Sequence, residues 1–308
     1  MEDPFRKPSP QGSVIRIDPC GDLRFKITQK DNEVVFIVCS KTLRRSWKSL
    51  EWYHSPQEWT HGAIQMPFHN TDAVAIILRI IHSQFANIPE ALDVMDFYDL
   101  ALLTHKFDLA HLLRPWAKRW FQKMEDMNSF VGERLWIAWE LGHCNLFTKL
   151  VRQVIFERAS PAQPEYTRAL MPIGVHDFID RARRDAISLL LMTPCNFIRH
   201  LLTSRRCFRE SNNECDRYMT ESMVQSLTVM GLYPLPPIHQ VKMSVFELYS
   251  KLALVEVRGK GYMHTCESIK MVPESAMADL GRLFTIPAVM KHQLNERAEK
   301  TGMPTNDF

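Results

Sequence analysis

The spacing of the apolar residues changes once along this chain, and that change limits the fold more than any other feature. Leu23, Phe25 and Ile27 alternate with Arg24, Lys26 and Thr28, the period of two of a half-buried strand. The turn "QKDN" separates them from "EVVFIVC", a β-branched run suited to a buried partner strand, so a hairpin is predicted. A third strand is expected at Ala63–Phe68, "AIQMPF". From Thr71 onward the spacing becomes three to four, with Val74, Ile77, Leu78, Ile81 and Phe85 on one helical face. The chain therefore reads as α+β, a short N-terminal sheet followed by helices.

Local signals refine that outline. Ser40 to Ser46 loses the period of two and reads as a short helix, with Leu43 inward and Lys41, Arg44 and Arg45 on its exposed face. Thr71 is expected to cap the next helix, and Pro89 to open the one carrying Val94, Phe97, Tyr98, Ala101 and Leu102. Asp108 is expected as the N-cap of a helix holding Leu109, with Phe107 stapling the junction and Pro115 dividing the helical segment. Ser129 is expected to cap "FVGERLWIAWELG", which stops at Gly142. Phe147, Leu150, Val151, Val154 and Ile155 mark a further helix, and Asp177–Met192, Glu214–Met230 and Ser244–Leu254 mark three more.

The domain divisions expected are a proline-containing flexible tail at 1–13, a first domain at 14–122 and a helical extension at 123–160. The stretch "SPAQPEYTRALMPIG" then leads into a helical domain at 161–280, and the weakly patterned 281–308 reads as a weakly ordered tail. No repeat of 20 to 50 residues is present.

Composition excludes several classes. With 308 residues, 45% hydrophobic and 24% charged, the chain can bury ordinary globular cores. Its 38 basic residues nearly cancel its 35 acidic ones, which is a poor electrostatic footprint for a dedicated nucleic-acid binder. No uninterrupted apolar run approaches the roughly 20 residues of a membrane span, and "MEDPFRKPSPQGS" lacks the core of a signal peptide. The expectation is an intracellular protein, cytoplasmic or nuclear, with no membrane partner. Seven cysteines, an odd number in a long chain, read as reduced thiols.

The motifs "GDLRFKI", "FIVCSKTLRRS", "IQMPFHNTDAVAIILRIIHSQF" and "ALLTHKFDLAHLL", in that order, resemble a BTB/POZ domain. With the tryptophans after Pro115 and the later "LWIAWELG", they are similar to the divergent BTB-like proteins of filamentous fungi. The resemblance runs from about Ile17 to Trp120, and more weakly to about Cys266. It implies a small BTB/POZ-like sheet-and-helix domain followed by an all-helical region. It also implies protein partners, the chain itself among them: BTB domains join chains as homodimers, heteromers or adaptors for cullin-type ubiquitin ligases and transcriptional co-regulators. Cys39 and Ser40 stand where many animal BTB domains carry a His-Arg pair, and the strand-exchanging N-terminal helix and strand are missing or short. Asp22, at a strand start, is placed to accept backbone donors or a local cation, and it joins Lys41, Arg44 and Arg45 as the candidates for partner binding.

Catalytic signatures are missing from the sequence: it contains no GxSxG, GxxxxGK[ST], GxGxxG or HExxH, and only 11 glycines. The expectation is a non-enzymatic protein that needs no small-molecule substrate and no cofactor. Asp93, Asp96 and Asp99 have helical spacing and read as a solvated face, and His105 and His111 as cap, core or surface residues. The clusters "KTLRRSWK", "RPWAKRW" and "RARR" could stack on and neutralise nucleic acid, which keeps a transcription-related factor as an alternative. Against that, Trp116 and Trp120 belong to an apolar stripe. Cys207, Cys215, His264 and Cys266 could close a tetrahedral structural zinc site, the alternative being free thiols.

Overall fold

The computed structural model describes residues 13–29, 32–52, 55, 58–59, 62–67, 70–125, 127–157, 159, 174–203, 214–259, 269–270, 280–281 and 284–305. The protein is mixed α+β, with one four-stranded sheet near the N-terminus and helices dominating the rest. An antiparallel hairpin forms the centre of that sheet. Its strands β2 (Leu23–Gln29) and β3 (Asn32–Val38) pair from Leu23 opposite Val38 to Gln29 opposite Asn32. Because successive side chains alternate, Leu23, Phe25, Ile27, Val34, Phe36 and Val38 are all buried. β1 (Ser13–Arg16) adds in parallel to β3, and β4 (Ala63–Pro67) in parallel to β2, giving the order β1-β3-β2-β4. β1 was not predicted: four residues are too few for a period to show. Phe68, the expected end of β4, lies outside the described residues.

Helix α1 (Ser40–Ser46) follows β3 after one residue and buries Leu43. A 3-10 turn at Lys48–Trp52 continues it. Helix α2 (Thr71–Ile81) is buried on almost every side, and helix α3 (Val94–Phe107) packs beside it. A chain of rings joins these parts. Trp47 lies 5.9 Å from Phe25 of β2 and 5.1 Å, edge-on, from Phe107 at the end of α3. Truncating a buried aromatic of this kind costs about 3–5 kcal/mol.

Three of the expected caps fall on other residues. Asn70, not Thr71, caps α2, its side chain accepting from the backbone of Asp72 and Ala73 at 2.9 and 3.1 Å. Asparagine is the stronger cap, and it wins. Asp108 ends α3 rather than starting a helix, in the left-handed conformation (φ 54, ψ 45) that aspartate tolerates better than most residues. Its carboxylate pairs with Lys300 at 2.9 Å. Phe130, with φ 55, occupies the position expected for Ser129 before helix α5 (Val131–Leu141). Between these, a 3-10 turn at Ala110–Leu113 and helix α4 (Ala117–Gln122) lie either side of Pro115, as the missing proline donor demands.

The division of the chain differs from the expected one. One compact unit comprises Met1–Phe147 together with Ala288–Phe308, and the other Thr148–Pro287. The division therefore falls within helix α6 (Cys144–Glu157), not after residue 160. The expected weakly ordered tail at 281–308 instead contains helix α10 (Ala288–Thr301), which buries Leu294, Ala298 and Thr301 in the first unit. A small-residue contact explains why the pattern was faint. Gly142 (φ 78) closes α5 against the α10 backbone at Leu294 and Ala298, so closely that a Cβ there would collide with it.

In the second unit, helix α7 (Val175–Thr203) runs well past the expected Met192 and through Pro194. Its buried positions, among them Ile179, Ala182, Ala186, Leu190, Pro194, Phe197 and Leu201, keep a spacing of three to four. That continuous packed face offsets the roughly 3 kcal/mol an interior proline costs. By length and composition alone α7 could cross a membrane, and 33% of its most apolar 18-residue window is buried, along one face. Helices α8 (Glu214–Val229) and α9 (Val245–Ala253) pack on it, and β5 (Glu256–Val257) pairs antiparallel with β6 (Ile269–Lys270).

Candidate partner-binding surface

Helix α1 is fixed at both ends from outside itself. At its start Cys39 offers no side-chain cap, and Asp22 supplies one across 18 residues of sequence. The Ser40 backbone N–H donates to Asp22 Oδ1, and the Ser40 hydroxyl to Oδ2, both at 2.7 Å. Those two donors hold the Asp22 carboxyl below the usual carboxylate range, the backbone N–H contributing most. Asp22 thus acts first as a distant helix cap, and the neighbouring Lys41 adds a favourable charge. The backbone N–H of Cys39 donates to His82 Nε2 at 3.0 Å, while His82 Nδ1 lies 2.9 Å from the Leu78 carbonyl. That arrangement requires a neutral ring with its proton on Nδ1. Hydrogen bonds from Thr42, side chain first and backbone second, draw the Cys39 thiol below its ordinary range.

Between these anchors the helix sorts its faces by charge. Leu43, Trp47 and Leu50 are buried, at i, i+4 and i+7. Lys41, Arg44 and Arg45 are exposed, and Lys48 extends the same row at i+7 from Lys41. The Arg44 guanidinium lies over the Trp59 ring at 4.9 Å, which holds the long side chain against the surface. Lys48, the last residue of the cluster "KTLRRSWK", was not among the expected partner-binding residues, although its spacing from Lys41 marks it. No acidic residue falls between Ser40 and Leu50, so apart from Asp22 at its start the exposed face of this segment is basic.

A cleft of about 570 Å³ carries the opposite sign. Asp72 and Asp96 line it with Arg79 and Glu90, over apolar Ala73 and Ile76. Asp93 caps α3, its Oδ1 accepting from the Asp96 backbone at 2.8 Å. Burial first, then the charges of Asp93, Asp72 and Asp99, push the Asp96 carboxyl above its ordinary value. The row at 93, 96 and 99 is therefore not a plain solvated face: Asp96 and Asp99 are half-buried, and Asp99 accepts from the Asn70 side chain.

A third charged cluster lies inside the first unit and was not foreseen. Glu140 is 1% exposed. Its Oε2 meets Arg297 at 2.6 Å and His105 Nδ1 at 2.9 Å, and its Oε1 accepts from the Thr104 hydroxyl at 3.2 Å. A carboxylate beside a histidine is acid–base chemistry in kind, but here both carboxylate oxygens are engaged, so the cluster clips α3, α5 and α10 together. Nothing in the local sequence couples Glu140 to a residue 157 positions away. His111 is exposed on its turn.

Among the described residues no group of three or more His, Cys, Asp or Glu is placed to hold a metal ion. Cys215 is buried on α8 rather than in a loop, while Cys207, His264 and Cys266 lie outside the described residues. Of the aromatic residues among basic clusters, Trp120 is buried and donates its indole N–H to the Pro89 carbonyl at 2.9 Å. Trp116 stacks on Trp120 and meets the exposed ring of Phe85. No protein-family model, curated protein or solved structure matches this chain.

Proposed function

We propose that this chain is a protein-interaction module of BTB/POZ type, without catalysis of its own, that acts by self-association or as an adaptor. The observation that carries this reading is α1: a short helix locked by Asp22 at its start and by Trp47 at its end, with all its cations outward. A rigid charged ridge raises association rate and selects partners without first having to be ordered. The order of hairpin, short helix, strand and helices, which coincides with the four motifs that resemble a BTB domain, also supports it. Service as a cullin-type ligase adaptor is the narrower form of the same reading.

Proximity labelling from the native cell tests it, with the wild type beside K41A/R44A/R45A. The expected result is a reproducible set of labelled proteins that the variant loses while it remains folded by circular dichroism. An identical set for both chains overturns the reading. A structural zinc at Cys207, Cys215, His264 and Cys266 is a separate proposal, resting on ligand type and spacing. Metal analysis of the intact chain beside Cys207→Ser and Cys215→Ser decides it, and wild type without stoichiometric zinc removes it.

A further inference from the structure

The basic ridge and the acidic cleft stand at opposite ends of the same two helices. Cys39, which begins α1, is bonded to His82 at the C-terminal end of α2, and Trp47, which ends it, packs on Phe107 at the C-terminal end of α3. The carboxylates sit at the other ends: Asp72 in the first turn of α2, Asp93 as the cap of α3 and Asp96 in its first turn. With 11 and 14 residues, α2 and α3 are about 16 and 21 Å long at about 1.5 Å per residue. That exceeds the screening length of about 8 Å at physiological salt, so within one copy the ridge does little to relieve the cleft.

We propose that the basic α1 ridge of one copy docks in the acidic cleft of a second copy of this chain, head to tail. The inference rests on the interaction-module reading and names its partner. The two surfaces are opposite in sign. The ridge is α1 and the turn after it, bearing Lys41, Arg44, Arg45 and Lys48, and the cleft is lined by Asp72, Asp96 and Glu90 beside the apolar Ala73 and Ile76. Glu90 pairs with Arg119 at 2.7 Å, and Arg79, a cation of the same lining, reaches the Asn87 carbonyl at 3.4 Å, so Asp72 and Asp96 leave the opening with carboxylates in excess. Asp96 is held half-buried among like charges, and an incoming cation relieves that crowding. Because the two surfaces differ, each docking leaves a ridge free at one end and a cleft free at the other. Such an interface builds a ring or an open chain of copies rather than a closed twofold dimer.

Light scattering on the full chain tests this with two neutralised variants, K41A/R44A/R45A and D72N/D96N. The wild type is expected to gain mass with concentration at low salt, and to lose it at about 1 M salt, where the screening length falls to about 3 Å. Each variant alone is expected to stay monomeric. Their equimolar mixture is expected to stop at a dimer, because one intact ridge meets one intact cleft and nothing can add further. A mixture that stays monomeric while the wild type assembles overturns the docking. So do variants that assemble as the wild type does, although self-association then survives through another surface. A wild type that is monomeric at every concentration overturns the head-to-tail inference and leaves an adaptor role to be judged by the labelling experiment. The salt response uses unaltered protein, so the test does not depend on the variants folding.

Discussion

Glu140 and Asp96 are both carboxylates on helices of the same unit, and they are treated in opposite ways. Around Glu140 the chain gathers Arg297, His105 and Thr104, and shuts out water. Around Asp96 it gathers Asp93, Asp72 and Asp99 and leaves a cleft open. The first carboxylate has its counter-charge built in, so its role is completed inside the molecule. The second has been crowded instead, at some cost to folding, a cost that a proton or an added cation relieves. Charge satisfied internally reads as architecture, and charge crowded at an opening is the ground of the docking proposed above.

The comparison is broken most severely at Glu140. Glu140→Ala leaves the Arg297 guanidinium half-buried without its carboxylate, and loss of about 3–5 kcal/mol of stability is expected, the usual scale for stripping one member of a buried pair. Denaturant unfolding of the full chain measures it. A loss below about 1 kcal/mol, the range of an exposed pair, would show that the cluster is no more than surface charge. Gly142→Ala attacks the same clip from the backbone. Gly231 shares its left-handed conformation, with φ 69 against 78, but has open space where a Cβ would go. Gly231→Ala should cost about 1 kcal/mol for conformation alone. Gly142→Ala must also push α10 away, so it should cost clearly more. Equal melting temperatures for the two variants would mean that α10 is not seated against Gly142.

Next in size comes the cap on the ridge. Asp22→Ala removes both acceptors of Ser40, and a loss of about 1 kcal/mol is expected, the scale of an N-cap. Its exposure to solvent keeps the effect from growing larger. Wild-type ridge binding together with an unchanged melting temperature in this variant would remove Asp22 from the account of how α1 is held.

These expectations also mark what could be read from residues in order. The hairpin, α2 and the stop at Gly142 were legible, because periodicity and left-handed glycine are local signals. α10 was not, since it buries only Leu294, Ala298 and Thr301 along 14 residues and is held by a distant glycine and a distant glutamate. Asn70 and Asp108 show the limit from the other side. A cap can be recognised as a residue type, but Asp serves at either end of a helix, and only the chain's path decides which. Of the partner-binding candidates, Lys41, Arg44 and Arg45 were legible as a helical face. That Asp22 accepts a backbone donor was legible from its place at a strand start, but that the donor is Ser40 was not, because Ser40 lies across the hairpin. The cleft was illegible altogether: Asp72 and Asp96 belong to different helices, and only packing brings them to one opening.

The smallest expected effect has the opposite sign, and pH isolates it. Asp96 binds its proton more tightly in the folded protein than in the unfolded chain, whose carboxyl has the ordinary value of 3.8. Its ionised form therefore opposes folding at neutral pH, and that opposition fades as pH falls through the raised folded value toward 3.8. Asp22 is the mirror case: its folded value lies below 3.8, so its contribution is complete above that pH and is lost only on further acidification. Asp96→Asn should accordingly raise the melting temperature slightly at neutral pH, with the gain shrinking as acid protonates the wild-type carboxyl. Asp22→Asn should lower the melting temperature, and its deficit should persist to lower pH than the Asp96→Asn gain does. Melting curves for both variants and the wild type across the acid range measure the two trends together. If Asp96→Asn destabilises the protein at neutral pH, the carboxylate is serving a fold contact rather than being crowded by its neighbours, and the contrast with Glu140 collapses.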